Sequence, residues 1–482
     1  MSHELDEHPD GLPLPRRRIA YVTLAIVIAM SVLDGTIANT ALPTIARDLH
    51  ASPAESIWVV NGFQLAVTAS LLSFAALGQL RGPSRVYRAG VAMFVIGSLA
   101  SAIARSMPEL IAARAFQGVG AAAVFALSPA ILREIFPRAQ LGRALGLNAL
   151  VVATSAAAGP TVGGLLLAIA PWPWLFAINV PLGIASIAMN RALPQQPRRS
   201  GWLDIPSVIT SALGFSLVIW GVDGLGRHEP PWSVALRLVV GLTCAGVFVR
   251  RQFTLPQPMI ALDLFRIPRF AFAAATSFTT FSAQGLSFIA LPFLFQVALG
   301  RTPLESGLLL TSWPLSVAVV APIAGRLADR VSPGILATIG LGVYAIGLGL
   351  YAALPPNPTT GEIVLHGMIC GLGFGFFQSP NNRELIGSAP REKSASASGL
   401  LASLRVGGQT VGTALVALVF GFFGASVTST VAPHEAVARA APVVLWLACG
   451  WAALATVASG LRLMHVAPTA QPHRSAPGVP GK

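Results

Sequence analysis

Apolar runs of about 20 residues or more follow one another along this chain, separated by little except short polar turns. A run of that length crosses the hydrocarbon core of a bilayer as a helix. In lipid only a helix or a closed barrel satisfies its own backbone, and a barrel needs shorter stretches of alternating polarity, which are not visible here. The runs lie near 19–44, 57–80, 87–106, 108–132, 141–168, 172–192, 205–226, 232–252, 270–298, 304–328, 334–354, 361–382, 395–424 and 440–464. Composition agrees: of 482 residues 54% are hydrophobic and 11% charged, against about 25% charged in soluble domains. The expected fold is an all-α polytopic membrane protein with 14 transmembrane helices.

The formal net charge of +13 does not indicate nucleic-acid binding. The basic residues recur in the turns between spans and gather on no single segment. With the N-terminus placed in the cytoplasm, 24 Lys and Arg fall inside, five outside (Arg47, Arg105, Arg227, Arg301, Arg439) and three within spans (Arg114, Arg237, Arg405), which accounts for all 32. Cytoplasmic loops of membrane proteins carry this excess. Losing one span from the count would scramble the alternation, so the bias supports both the count and cytoplasmic termini.

Cys244, Cys370 and Cys449 lie inside apolar runs without metal-ligand spacing or a disulfide framework, and neither metal nor cofactor is expected. Arg16–Arg18 precede an apolar run too long for a cleaved signal, which reads as an uncleaved first span. No Gly-rich nucleotide loop with its Lys is present. The polar, Pro-rich tails 1–15 and 466–482 read as disordered.

Two turns look alike. "AALGQLRGPSRVYRAG" (Ala75–Gly90) follows the second span and "PIAGRLADRVSPG" (Pro322–Gly334) the tenth. Related six-helix halves are a property of secondary transporters. The chain therefore divides into a six-helix bundle (16–199), two extra helices (200–256) and a second six-helix bundle (257–465).

Four further stretches make a specific resemblance: "LDGTIANTALP" (Leu33–Pro43), "RAFQGVGAA" (Arg114–Ala122), "AGPTVGG" (Ala158–Gly164) and "WPWLFAINVPLG" (Trp172–Gly183). In this order, on spans 1, 4, 5 and 6, they resemble the signatures of the fourteen-spanner drug:proton antiporter branch of the major facilitator superfamily. The resemblance implies a multidrug efflux transporter, not an enzyme, in which Gly159, Pro160, Gly163 and Gly164 form the antiporter hinge. It implies a cytoplasmic gate at Gly325, Asp329 and Arg330. The first copy of that turn, "GQLRGPSR", is shorter and lacks the acid. Some members of the branch carry an acid where this chain has Asn61, which cannot titrate.

Asp34 stands in an apolar run, where a charge at the helix centre costs at least about 2.5–3.5 kcal/mol and faces a cavity or a partner. Counting along the helices places Asp34 roughly 13 Å, and Arg114 roughly 9 Å, below the outer surface. The two are the expected proton-coupling residues, with a structural ion pair as the alternative. Asn61, Gln64, Gln117, Gln284, Arg405 and Gln409 are the expected substrate-cavity residues. Arg405 has no obvious acid partner in its half, and its role is left open between balancing Asp34, contacting substrate and facing water. Asp223 reads as an interface residue and His366 as a satisfied or interface one; the Phe-rich stretches of spans 9 and 12 either line an aromatic pocket or face lipid.

The expected function is export of amphipathic or cationic drugs and biocides across the bacterial inner membrane in exchange for protons, by a monomer. The alternatives are a metabolite exporter, a proton-linked importer and, less favoured, an integral-membrane transferase, which would need a clustered constellation of acid, His and nucleophile.

Overall fold

The computed structural model describes residues 11–137, 140–194, 203–227, 229–255, 258–390, 393–424 and 433–465. Residues 1–10 and 466–482 of the expected tails, and Arg138, Arg198, Arg199, Arg391, Arg474 and Lys482 of the charge count, lie outside the described residues. Among those described there are 14 helices long and apolar enough to cross a membrane. They are α1 (Leu14–Asp48), α2 (Pro53–Arg81), α3 (Pro83–Ile103), α4 (Met107–Ile135), α5 (Arg143–Ile169), α6 (Trp174–Ala192) and α7 (Ile205–Gly226). There follow α8 (Pro231–Thr254), α9 (Pro268–Ala298), α10 (Pro303–Leu327), α11 (Pro333–Ala352), α12 (Thr360–Gly387), α13 (Ser396–Phe422) and α14 (His434–Met464).

Local chemistry sets the helix starts. Proline at the first turn opens α1, α2, α3, α4, α7, α8, α9, α10 and α11, where its missing N–H costs nothing and its φ is already helical. Capping boxes close three N-termini: Ser52 with Glu55, Thr302 with Glu305, and Thr359 with Glu362. "SPAES" at α2 and "TPLES" at α10 are the same device at the second helix of each half, a repeat cleaner than the one in the basic turns. α1 begins at Leu14, before its apolar run, because Leu12 N donates to Ile135 O (3.1 Å) and Arg17 Nε to Leu12 O (2.9 Å). Residues 11–13 are thereby tied to the end of α4.

In the first half, α4 packs on α2 and α3, and α1 on α5 and α6; in the second, α12 packs on α10 and α11, and α9 on α13 and α14. α7 and α8 pair with each other, and α7 also packs on α2 and α13. Asp204 anchors the start of this hairpin: Arg251 Nη2 donates to it at 2.7 Å and Ser207 Oγ donates as well. Burial pushes its carboxyl up, but those hydrogen bonds outweigh it and hold the carboxyl below the usual range.

The halves meet through α5 with α10, α2 with α13, and α1 with α9. The turns carrying Arg47, Arg105 and Arg301 define an Arg-poor end, and those carrying Arg81, Arg85 and Arg330 an Arg-rich end. One apolar core joins both halves at the Arg-poor end, running from Ile37, Leu42 and Phe176 to Phe293, Leu310 and Phe420. Toward the Arg-rich end the core divides. One cluster, including Leu24, Tyr87 and Leu132, belongs to the first half. The other, including Phe270, Leu385 and Leu400, belongs to the second. The bundles are thus closed together at the Arg-poor end and have separate cores at the Arg-rich end.

Hydrogen bonds between the bundles lie toward the Arg-poor end and at mid-span. Thr161 and Thr311 hydroxyls meet at 2.5 Å, Gln296 Nε2 donates to Thr40 O at 2.8 Å, Thr68 and Thr410 hydroxyls meet at 3.2 Å, and Thr413 Oγ1 donates to Asn61 Oδ1. Backbone contact tightens the seal: a Cβ at Gly164 would lie 2.7 Å from Pro303 O.

Candidate functional site

Asp34 and Arg114 meet inside the first bundle. Arg114 Nη1 lies 2.5 Å from Asp34 Oδ2, and the residues are 2% and 0% exposed. Gln117 Nε2 donates to Asp34 Oδ1 at 3.0 Å and Asn179 Nδ2 donates to the same oxygen at 2.7 Å. Arg114 also donates to Gln117 Oε1 (2.6 Å) and, through Nε, to Val59 O (3.3 Å), while Gln117 Nε2 donates to Ser98 Oγ (2.8 Å). The guanidinium lies 4.3 Å from the Phe63 ring centroid and 5.1 Å from that of Phe176. Charge-assisted bonds of this length are the strong ones, and satisfying the spare lone pairs is what makes a buried pair tolerable.

Five of the bundle's six helices contribute: α1 (Asp34), α2 (Val59), α3 (Ser98), α4 (Arg114, Gln117) and α6 (Asn179). Glycine lets them approach. A Cβ at Gly97 would lie 2.6 Å from Gln117 Cβ, and one at Gly118 would collide with Phe63 O, so "RAFQGVGAA" reads as a polar face beside a backbone-contact face. A break at Ile178 in α6, between Trp174–Ala177 and Asn179–Met189, sets Asn179 at the start of the inner segment. The sixth helix, α5, stays outside this network. It packs on α1 and α10, with Gly159 against Thr36 and Gly163 against Ile37 on one side, and Gly164 against Pro303 and Leu304 on the other. Pro160 O packs against Gly307 of α10. The sequence-expected hinge residues therefore sit between the bundles.

The expected cavity residues separate into four places. Gln117 is fully buried with its amide engaged by the ion pair. Asn61, also fully buried, lies in the α2–α13 contact as Thr413's acceptor. Gln284, Arg405 and Gln409 come together in the second bundle: Gln409 Nε2 donates to Gln284 Oε1 at 2.9 Å, and the Arg405 guanidinium lies 4.8 Å from the Phe281 ring centroid. Among the described residues no carboxylate pairs with Arg405, and its buried Nε has no hydrogen-bond partner. Gln64 is half-buried on α2, its Oε1 likewise unpartnered.

At the Arg-rich end Asp329 pairs with Arg383 of α12, within the second bundle; Arg330 is exposed, and Gly325 faces Ser379 of α12. Asp223 is buried in α7, 2.7 Å from Arg227. The ring of His366 stacks edge-on against Tyr351 at 5.6 Å. Phe281, Phe374, Phe377, Trp313 and Tyr344 pack edge to face with one another inside the second bundle, away from lipid.

The sequence reading missed Asn179 and Ser98. Asn179 was visible as the one amide in "WPWLFAINVPLG", whereas Ser98 gives no signal beyond a hydroxyl in an apolar run. Arg462, counted as a loop residue, is instead 2% exposed within α14, donating to Asn381 Oδ1 (3.1 Å) and Ser459 Oγ (3.2 Å). No cluster of metal-ligating side chains occurs among the described residues.

Known proteins resemble this chain along most of its length. The transporter YebQ of Escherichia coli (strain K12), described as uncharacterized, is 46% identical over 94% of this chain and 97% of its own. The riboflavin transporter RibZ of Clostridioides difficile (strain 630) is 30% identical over 86% of this chain and 90% of its own. The multidrug resistance protein Stp of Mycobacterium tuberculosis (strain ATCC 25618 / H37Rv) is 30% identical over 86% and 78%. Among solved structures, a bacterial homolog of the human lysosomal transporter Spinster, inward-facing and unoccupied, superposes with a TM-score of 0.68, covering 95% of this chain and 100% of that one at 14% identity. The sequence profile of the Major Facilitator Superfamily matches residues 24–413 and 271–480. Two six-helix bundles closed at one end, a buried acid–arginine pair in the first, and this match together make the chain a member of the Major Facilitator Superfamily.

Proposed function

We propose that the chain is a proton-coupled exporter of amphipathic small molecules, working as a monomer in the bacterial inner membrane with both termini in the cytoplasm. With the Arg-rich end taken as cytoplasmic, which the Arg bias supports, the bundles are closed together on the outer side and carry separate cores on the inner side. This supports reading the arrangement as inward-open. The observation that carries the reading is Asp34: a carboxylate with three donors, held beneath an Arg-poor end that is shut. In this state Arg114, Gln117 and Asn179 solvate its negative charge. When the bundles part at the Arg-poor end, outside water reaches the pair, and a proton taken up by Asp34 removes the charge that holds Arg114. Return to the inward-open state restores the three donors and expels the proton inward, which gives exchange against an outgoing substrate. Each charge moved inward supplies about 2.3 kcal/mol per 100 mV.

Gly159, Pro160, Gly163 and Gly164 act in this cycle as the moving seal. Gly325, Asp329 and Arg330, through Asp329's bond to Arg383, keep the α10–α11 turn moving with α12 when the inner side closes. Inverted membrane vesicles test the exchange: a fluorescent lipophilic substrate should accumulate with a proton gradient and stop when an ionophore collapses it, whereas uptake by intact cells would contradict export.

A second reading concerns the substrate. Arg405, stacked on Phe281 beside the Gln284–Gln409 pair, brings positive charge without an acid. That favours neutral or anionic aromatic compounds over cations, and the likeness to a riboflavin transporter supports it. Competition assays with matched anionic, neutral and cationic dyes separate the two readings.

A further inference from the structure

A groove of about 290 Å³ opens at the Arg-poor end, where the extra hairpin meets the first bundle. Its floor is α2, which packs on both α4 and α7. Trp58 and Leu65 of α2, Ile111 of α4, and Trp220, Asp223 and Arg227 of α7 line it. The charged residues stand at its mouth: Asp223 is about 5 Å from the end of α7, while Leu65 lies about 18 Å below the start of α2. Below the mouth the outward faces of α4 and α7 are apolar, with Phe116 and Leu213 exposed.

Two ion pairs hold the mouth. Arg227 Nε lies 2.7 Å from Asp223 Oδ2, and Arg237 Nη2 lies 2.7 Å from Glu229 Oε2. The Arg237 guanidinium stacks on Trp220, 4.0 Å from the ring centroid. The described residues of the mouth thus carry no net charge. Asp223 is buried beside Trp58, whereas Arg227 is exposed.

We propose that this groove binds a zwitterionic phospholipid with a primary ammonium, a phosphoethanolamine headgroup, from the leaflet at the Arg-poor end. The ammonium donates to Asp223 next to the Trp58 ring, where cation–π attraction adds to the bond. The phosphate takes the exposed guanidinium of Arg227, and the acyl chains run down over Leu65, Phe116 and Leu213. A zwitterion exchanges partners with the existing ion pair and leaves the total charge unchanged. A lipophilic cation or an anionic lipid would strand one of the two charges, and a trimethylated ammonium has no N–H for a buried carboxylate. Tryptophan is enriched at this headgroup level. The site also bears on closure, because Gly226 packs directly on α13: a Cβ there would lie 2.9 Å from Leu418 Cα. A lipid that fixes the end of α7 against α2 and α4 thereby fixes a helix of the second bundle on the closed side.

Lipid titrations of the delipidated full chain in detergent test this, with Tm as the readout. Phosphatidylethanolamine should raise Tm saturably, and phosphatidylcholine or phosphatidylglycerol of the same acyl chains should not. Asp223→Asn, which keeps the side-chain shape, should raise the half-saturating concentration about 10-fold. Arg227→Gln, at an exposed position, should do the same, and melting without lipid reports whether each variant folds. An equal rise with all three lipids, or an unchanged titration in both variants, overturns the proposal. Soluble glycerophosphoethanolamine should leave Tm unmoved; a rise as large as the lipid's assigns the groove to a free headgroup compound. Saturable displacement of the lipid by tetraphenylphosphonium assigns it to a cationic substrate, which overturns the proposal as well.

Discussion

Arg114 reaches Asp34 across 80 positions of sequence and three helices of the fold, its Nη1 2.5 Å from Oδ2 with neither side chain exposed. A pair so placed is costly to halve. Removing one partner of a buried pair costs about 3–5 kcal/mol, while replacing both with apolar residues is often neutral. Arg114→Met should therefore lower thermal stability sharply, and Asp34→Leu with Arg114→Met should recover most of it without recovering transport. Melting curves of purified single and double variants check this, and recovery of transport in the double variant contradicts a coupling role.

Asn179 supplies one of three donors to the carboxylate, at 2.7 Å. Asn179→Leu should weaken retention of the charge and move the pH dependence of transport, while cutting rate less than a change at Asp34. One lost bond to a charged group is worth about 1.5–3 kcal/mol, a change of roughly 10-fold or more in the rate. Transport rate against pH for this variant and its parent gives the answer; an unmoved profile assigns Asn179 to packing.

Gly159 has no room for a side chain, because a Cβ would collide with Thr36. Gly159→Ala should displace α5 from α1 and Gly164→Val should push it from α10, breaking the Arg-poor seal. Both variants should insert normally and lose coupled efflux while admitting protons passively. Proton leak in proteoliposomes measures this, and a tight, active Gly164→Val protein rules out the seal.

Thr413 and Thr161 strap the bundles by bonding Asn61 and Thr311. Thr161→Val with Thr413→Val should shift the population toward the state open at the Arg-poor end. A cysteine introduced by Ser306→Cys, fully buried in α10 at the Arg-poor end, in a background lacking Cys244, Cys370 and Cys449, should then label faster with a membrane-impermeant maleimide from outside. Equal rates mean that the straps do not hold the closure.

Much of the fold was legible because lipid leaves so few options: run length gives the spans, and arginine placement orders them. The Asp34–Arg114 pairing could be read from depth along two helices plus the signature stretches. What the sequence could not supply was side-chain direction. Asn61 sits at a depth suited to a cavity, yet its azimuth on α2 turns it into α13. Asn179 depends on a break at Ile178, and the signal for it was Pro181, which has no N–H to offer Ala177 O and so ends the preceding turn. Arg462 resembles the other basic residues near helix ends, and its burial comes from Asn381 and Ser459 on helices 12 and 14.

The central claim is that Asp34 carries the proton. Purified protein and its Asp34→Asn variant, reconstituted at equal density in liposomes containing a pH-sensitive dye, put it to the most direct test. The account predicts substrate-dependent proton movement for the parent and none for Asp34→Asn, with substrate still bound. Proton movement at parental rates in the variant would contradict it.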